Sequence, residues 1–147
     1  MIDLKVFADQ QLFFALSEDQ LQLLAETAEL KVYGSGENIF REGDLGDSIV
    51  IIVSGKVDLI KKKKDGSEAI LATFSKGAFF GEMTLINVEP RSGTIKASED
   101  TVVLFLKNTA LGDIFKTDRE LFIILLMNIT RILSRRLRQA NEKLMEV

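Results

Sequence analysis

Between residues 30 and 106 the apolar residues fall into short runs, and glycines cut most of these runs from the next. Leu30 and Val32 precede Gly34-Ser35-Gly36. Ile39 and Phe40 precede a dense turn segment, Arg41-Glu42-Gly43-Asp44-Leu45-Gly46-Asp47. Residues 49–53 are continuously apolar, the pattern of a strand buried on both faces. Ser54-Gly55 turns the chain, residues 56–62 alternate through Val57 and Leu59, and Asp65-Gly66 is a strong hairpin signal before the partner run at 69–74. Residues 94–97 and 101–106 supply two more strands. Many short strands with few helices between them predict a mainly β fold with flanking helices, closed as a sandwich or barrel. In that frame Gly34, Gly43, Gly46 and Gly55 shape turns.

Helices flank this region. Phe7, Leu12, Phe13, Phe14 and Leu16 are spaced compatibly with a helical segment over residues 3–16. Ser17 with Gln20 forms a capping box, and Leu16 with Leu21 occupies the hydrophobic-staple positions. A helix over residues 18–26 would bury Leu21, Leu24 and Ala25. Residues 118–147 read as one long helix, about 45 Å at 1.5 Å per residue. Its first half is apolar almost all round. Leu121, Leu125, Ile129 and Ile132 share one face and would pack on the chain's own core. Ile123, Leu126, Thr130, Leu133, Leu137, Ala140, Leu144 and Val147 follow alternating steps of three and four, a coiled-coil seam with one polar member. The seam outruns what a barrel can cover, so a two-fold homodimer through residues 123–147 is expected. The chain divides at that helix, into residues 1–117 and 118–147.

Composition removes whole classes of chemistry. The chain has no cysteine and no histidine. Disulfides, cysteine-held iron–sulfur clusters, histidine-ligated haem and serine–histidine or cysteine–histidine nucleophiles all lack their parts. No catalytic residue, metal ligand or cofactor site is therefore nominated, and the chain reads as a non-enzyme. The net charge of −3 and pI near 5.1 carry no basic footprint for direct nucleic-acid binding. Lys61-Lys62-Lys63-Lys64 is the one basic run, and its place beside the hairpin turn makes it a solvated tip. No apolar run reaches the roughly 18 residues of a membrane span. The start does not resemble a signal peptide, which with the lack of cysteine fits a cytoplasmic location.

Residues 79–97 concentrate what remains: Phe79-Phe80-Gly81-Glu82-Met83-Thr84-Leu85, then Pro90-Arg91-Ser92-Gly93 and a strand. Gly81 lets backbone approach a ligand. A short helix beginning beside it offers unpaired N–H groups to an anion. Arg91 brings a planar fork of donors suited to phosphate, and Glu82 a carboxylate that accepts from sugar hydroxyls. Together these parts could hold a phosphorylated sugar.

This stretch resembles the phosphate-binding cassette of cyclic-nucleotide-binding domains, shared by catabolite activators, cyclic-nucleotide-regulated kinases and gated channels. Phe80-Gly81-Glu82, the short helix and Pro90-Arg91 followed by small residues stand at the family's spacing. The resemblance implies an eight-stranded double-sheet β jelly roll with N-terminal helices and a long C-terminal helix. It implies a cyclic nucleotide, cyclic AMP (cAMP) or cyclic GMP, bound by Phe80, Gly81, Glu82, Met83, Thr84, Arg91, Ser92 and Gly93. Arg91 would pair with the cyclic phosphate and Glu82 with the ribose 2′-OH. Gly93 stands where the family usually has alanine. Ser92 stands where both alanine and hydroxyl residues occur, which leaves the base open. Residues 135–143 are similar to the dimer helix of the catabolite activators. There the positions of Ala140 and Asn141 reach the base, some across the dimer, and this similarity favours cAMP. Arg136 reads as a solvating residue rather than a ligand contact. The expected function is a sensor that transmits occupancy through its C-terminal helix, to an effector expected beyond residue 147. The alternative is a ligand-independent dimeric scaffold with an unused pocket.

Overall fold

The computed structural model of the chain describes residues 2–85 and 87–146. Ile86, in the cassette, and Val147, the last seam position, lie outside the described residues. The N-terminal segment is helix α1 (Leu4–Ala8), a 3-10 turn (Gln11–Phe13) and helix α2 (Glu18–Thr27). The capping box forms as expected: Gln20 N–H donates to Ser17 Oγ at 3.2 Å, and Ser17 N–H donates to Gln20 Oε1 at 2.9 Å. Leu16 and Leu21 both pack against the same apolar cluster.

Eight strands follow: β1 (Glu29–Tyr33), β2 (Asn38–Phe40), β3 (Ser48–Ser54), β4 (Val57–Lys62), β5 (Glu68–Phe74), β6 (Phe79–Phe80), β7 (Thr94–Ala97) and β8 (Thr101–Lys107). They form two four-stranded sheets, ordered β1-β8-β3-β6 and β2-β7-β4-β5. Every named strand pairing is antiparallel. The glycine-cut runs predicted a sandwich or barrel and the resemblance a double-sheet jelly roll, and the jelly roll is what forms.

The apolar run of β3 shows why the layers stack as they do. Ile49 and Ile51 point into a core shared with the helices, together with Phe79, Leu104 and Leu106. Val50 and Ile52 point the other way, into a core between the sheets with Ile39, Val57, Ile95 and Val103. Successive strand residues face opposite sides. A strand apolar at every position therefore requires cover on both faces. The hairpin from β4 to β5 turns at Asp65-Gly66, where Gly66 N–H donates to Lys63 C=O at 3.0 Å. Lys61 to Lys64 are all exposed, two on the end of β4 and two in the turn.

After β8 the chain enters helix α3 (Asn108–Thr117), which no pattern in the sequence predicts, and then helix α4 (Arg119–Met145). Leu111 and Ile114 bury α3 against the helix-side core. Lys107, at its N-cap position, makes no side-chain capping bond, and Gly112 lowers its helix propensity, so local signals for α3 are faint. Asp118 caps α4, its carboxylate accepting from Leu121 N–H at 3.0 Å. Leu121, Leu125 and Ile129 are buried in the helix-side core, and Ile132 packs at its edge. Farther along, Leu137 is 64% exposed and Leu144 71% exposed. No helix among the described residues is long and apolar enough to cross a membrane.

Candidate functional site

Strand β6 ends at Phe80, and the backbone swings through Gly81 at φ +82° into a 3-10 turn, Glu82–Leu85. That φ lies where residues with a Cβ are strained. A Cβ on Gly81 would also run into the Arg91 guanidinium and lie 2.7 Å from the Ser48 carbonyl oxygen. Thr84 is buried, and both its N–H and its hydroxyl donate to Gly81 C=O, at 3.0 and 2.7 Å. These two bonds tighten the turn, and its leading amides, those of Glu82 and Met83, have no acceptor within it, as at the start of any helix.

Arg91 is fixed from the opposite side by the turn segment before β3. Arg91 N–H donates to Asp44 C=O at 2.7 Å, Gly43 N–H to Arg91 C=O at 2.9 Å, and Gly46 N–H to Glu89 C=O at 2.9 Å. Leu45 and Pro90 form a β-bridge in the same place. The Arg41–Asp47 glycines thus act structurally, as expected, but on the site's own arginine. Its guanidinium stacks on Phe40, with Cζ 4.4 Å from the ring centre. Its Nη2 donates to Ser48 C=O at 2.9 Å. Nη1 is buried and has no hydrogen-bond partner. Burial pulls the Arg91 pKa down, and the carboxylates of Asp47, Asp44 and Glu82 pull it partly back. A buried donor on a cation, held in place and unpaired, is costly without an anion.

Arg136 of α4 reaches the same cleft. Its guanidinium lies over Phe79, 4.5 Å from the ring centre, and Nη1 donates to Phe79 C=O at 3.4 Å. The sequence favours solvation for this residue; the structure instead lays its guanidinium on Phe79 at the start of β6. Burial lowers its pKa, and Glu82 opposes that shift. The ion pairs among the described residues involve neither Glu82 nor either of these arginines. Glu82 is therefore not consumed in a surface ion pair, and its carboxylate is open to another partner.

The cleft has a volume of about 320 Å³. Phe80, Gly81, Glu82, Met83, Thr84, Arg91, Ser92 and Gly93 all line it, and so do Phe40 and Arg136, which sequence reasoning had not placed there. Asn141 is exposed on α4 and is not among the lining residues. Gly93 is buried, and a Cβ there would lie 2.8 Å from Leu59 Cδ1 and 3.2 Å from Ile60 O. Leu59 thus occupies the space that an alanine would need, which accounts for the glycine. A larger cavity of about 580 Å³ lies at β2, β4, β5 and β7, where Arg41, Lys62 and Lys96 interleave with Glu42 and Glu68. Volume alone does not select the site; the buried unpaired guanidinium does.

Three comparisons bear on this arrangement. The family model of the cyclic nucleotide-binding domain matches residues 30–118. The chain is 35% identical over 133 residues to the cyclic AMP receptor protein of Thermus thermophilus, covering 90% of this chain and 60% of that protein. It is 40% identical over 88 residues to isozyme 1 of the cGMP-dependent protein kinase of Drosophila melanogaster, covering 58% of this chain and 12% of the kinase. The chain thus spans less than two thirds of the length of either relative. A solved cyclic nucleotide-binding domain from Methylobacillus flagellatus aligns with a TM-score of 0.83 at 25% identity, over 97% of this chain and 80% of that one. The matched residues include both sheets, the Gly81 turn and Arg91, and on that footing the chain belongs to the cyclic nucleotide-binding domain family.

Proposed function

We propose that the chain is a regulatory sensor that binds a cyclic nucleotide, cAMP in preference to cyclic GMP, in the cleft between Gly81 and Arg91. The observation that carries this reading is the buried Nη1 of Arg91, which has no partner while Nη2 and the backbone on either side are held. The cyclic phosphate, a monoanion, would complete that guanidinium and take the leading amides of the Glu82–Leu85 turn. Glu82 would accept from the ribose 2′-OH, which favours ribose over deoxyribose. Phe80, Met83 and Thr84 would form the turn's contact surface, Gly81 would let the backbone close on the ligand beside Gly93, and Ser92 would add a hydroxyl. The preference for cAMP is supported by the relative with the longer match, whose name is a cyclic AMP receptor protein. The kinase relative is named for cyclic GMP, so the base is a quantity to measure.

Transmission would run through α4. Arg136 joins that helix to the cleft at Phe79, so a nucleotide that engages Glu82 or displaces Arg136 biases where the helix lies. Such coupling typically amounts to about 1–3 kcal/mol. The exposed apolar residues of the seam, Ile123, Leu126, Leu137 and Leu144, would be covered by a second copy. Asn141 would then meet the base from its own helix or from the partner's, pairing with adenine through its donor and acceptor. An effector segment in a longer parent chain would receive the signal.

Calorimetric titration with cAMP and cyclic GMP, on the wild type and on Arg91→Ala, tests the reading. Hydrogen bonds to ions contribute about 1.5–3 kcal/mol, so the variant should bind about tenfold more weakly or worse. No heat with either nucleotide, with dimers by sedimentation, would replace this reading with a ligand-independent scaffold.

A further inference from the structure

Helix α4 presents a third face, turned away from the nucleotide cleft and meeting the seam at Arg131. Asn128, Arg131, Ile132 and Arg135 lie along it, turned toward the N-terminal segment. A cavity of about 400 Å³ separates the two, closed on the other side by Asp9, Gln10, Gln11 and Phe14. Asn128 is 3% exposed and fully engaged. Its amide nitrogen donates to the carbonyls of Leu12 and Phe14, each at 2.8 Å, and its oxygen accepts from Arg131 Nη1 at 3.1 Å. The floor of the cavity is thus rigid, and Arg131 is oriented by it.

Three features of this cavity are unmet by the protein itself. Arg131 and Arg135 stand four residues apart, so their like charges are neighbours on the helix. Neither belongs to an ion pair among the described residues, and Asp9, the one carboxylate in the wall, is paired with Lys76 at 3.7 Å. Gln10 is 2% exposed, and both ends of its side-chain amide are without a hydrogen-bond partner. Buried amides are normally satisfied, and an orphaned donor and acceptor together call for a partner that offers both.

We propose that this cavity is a second ligand site, for a small organic dianion of the phosphate-monoester class that also carries a hydroxyl. Two guanidiniums at adjacent helical turns match the several oxygens of a dianionic phosphate better than a single carboxylate. The hydroxyl both donates and accepts, which is what the Gln10 amide lacks. Phe14, 66% exposed on the rim, offers an apolar flank to the ligand's carbon skeleton. Asn128, Ile132 and Arg135 lie off the seam, and Arg131 borders it. Arg135 belongs to the cavity while the next residue, Arg136, belongs to the nucleotide cleft, and the two sites share one helix.

The test is nuclear magnetic resonance titration of the isotope-labelled chain with glycerol 3-phosphate, inorganic phosphate and glycerol. Glycerol 3-phosphate should give saturable shifts at the Gln10 side-chain amide and at Arg131 and Arg135. Inorganic phosphate should shift the arginines more weakly, and glycerol nothing. Arg135→Gln changes an exposed residue that belongs to no ion pair among the described residues, and should weaken binding about tenfold. Arg135→Glu should abolish it. Arg91→Ala should leave these shifts unchanged, which separates this site from the cyclic-nucleotide reading. Shifts confined to residues 79–93, shifts unaltered by Arg135→Glu, or no saturable shift with glycerol 3-phosphate would overturn the proposal.

Discussion

The two halves of α4 make opposite use of the same composition. Up to Ile132 one face is spent inward, with Leu121 0% exposed and Leu125 4%, while Ile123, Leu126 and Met127 stand exposed on the other. Beyond that point Leu137 and Leu144 stand in solvent, with the seam's rhythm unbroken. The first half roots one face in the fold's core, and past Leu133, at that core's edge, the second leaves Leu137 and Leu144 without cover in a single chain. Arg136 lies just past the boundary, with its head over Phe79 in the cleft. A helix rooted at one end, unrooted at the other and touched by the candidate site between them is suited to report occupancy.

The largest effects should come from the rooted half. Leu125→Ala removes buried methyl groups from the helix-side core and should cost about 2–5 kcal/mol of stability, read by denaturant unfolding. A cost below about 1 kcal/mol would mean that the first half is not rooted as described. Next comes Arg91→Ala, with its loss of about 1.5–3 kcal/mol in nucleotide affinity. The same change removes a desolvated, half-satisfied cation, so the ligand-free protein should keep its melting temperature or gain slightly. A marked fall in that temperature would assign Arg91 to the scaffold rather than to the ligand.

The unrooted half should respond differently. Leu137→Lys should convert dimers to monomers in sedimentation, yet change unfolding by no more than about 0.5 kcal/mol. A large loss of monomer stability would fold the second half back into the domain and dissolve the contrast. Arg136→Ala, at the boundary, should weaken nucleotide binding by about fivefold or less, since its bond to Phe79 is long and its head half-buried.

The smallest expected effect is on pH. Burial lowers both arginine pKa values, with the nearby carboxylates opposing it. For a cation, a folded pKa below the unfolded one means a cost carried by the native state at every pH below the folded value. That cost is relieved only above it, and arginine remains charged throughout the working range. With no histidine in the chain, nucleotide affinity should be flat from about pH 5.5 to 8.5. A bell-shaped profile would place an unrecognised titrating group in the site.

The same contrast separates what the sequence discloses from what it hides. Ser17 and Gln20 act on each other three residues apart, and their capping box formed as read. The apolar run in β3 can exist only between two cores, and both are present. The cassette is legible for a related reason: Gly81 and Arg91 are close in sequence, and the turn between them is short. What escaped notice depends on distant partners. Arg136 meets Phe79 across 57 residues of chain, and nothing near residue 136 announces this. Phe40 under Arg91 comes from another strand, held by the 41–47 turn. Helix α3 lacks a capping side chain and is stabilised by burial of Leu111 and Ile114, a tertiary effect. Asn141 stands exposed on α4, so whether it serves the base depends on a second chain or on a shift of the helix.

Hydrogen exchange with and without cAMP tests the central claim most directly. If the cleft at Arg91 binds the nucleotide and α4 reads it, protection should rise in two stretches together, residues 79–93 and the second half of α4 from about residue 133. Residues 119–129, already rooted, should change little. Both gains should disappear in Arg91→Ala. Protection confined to the cassette, with the second half of α4 unchanged, would contradict the account.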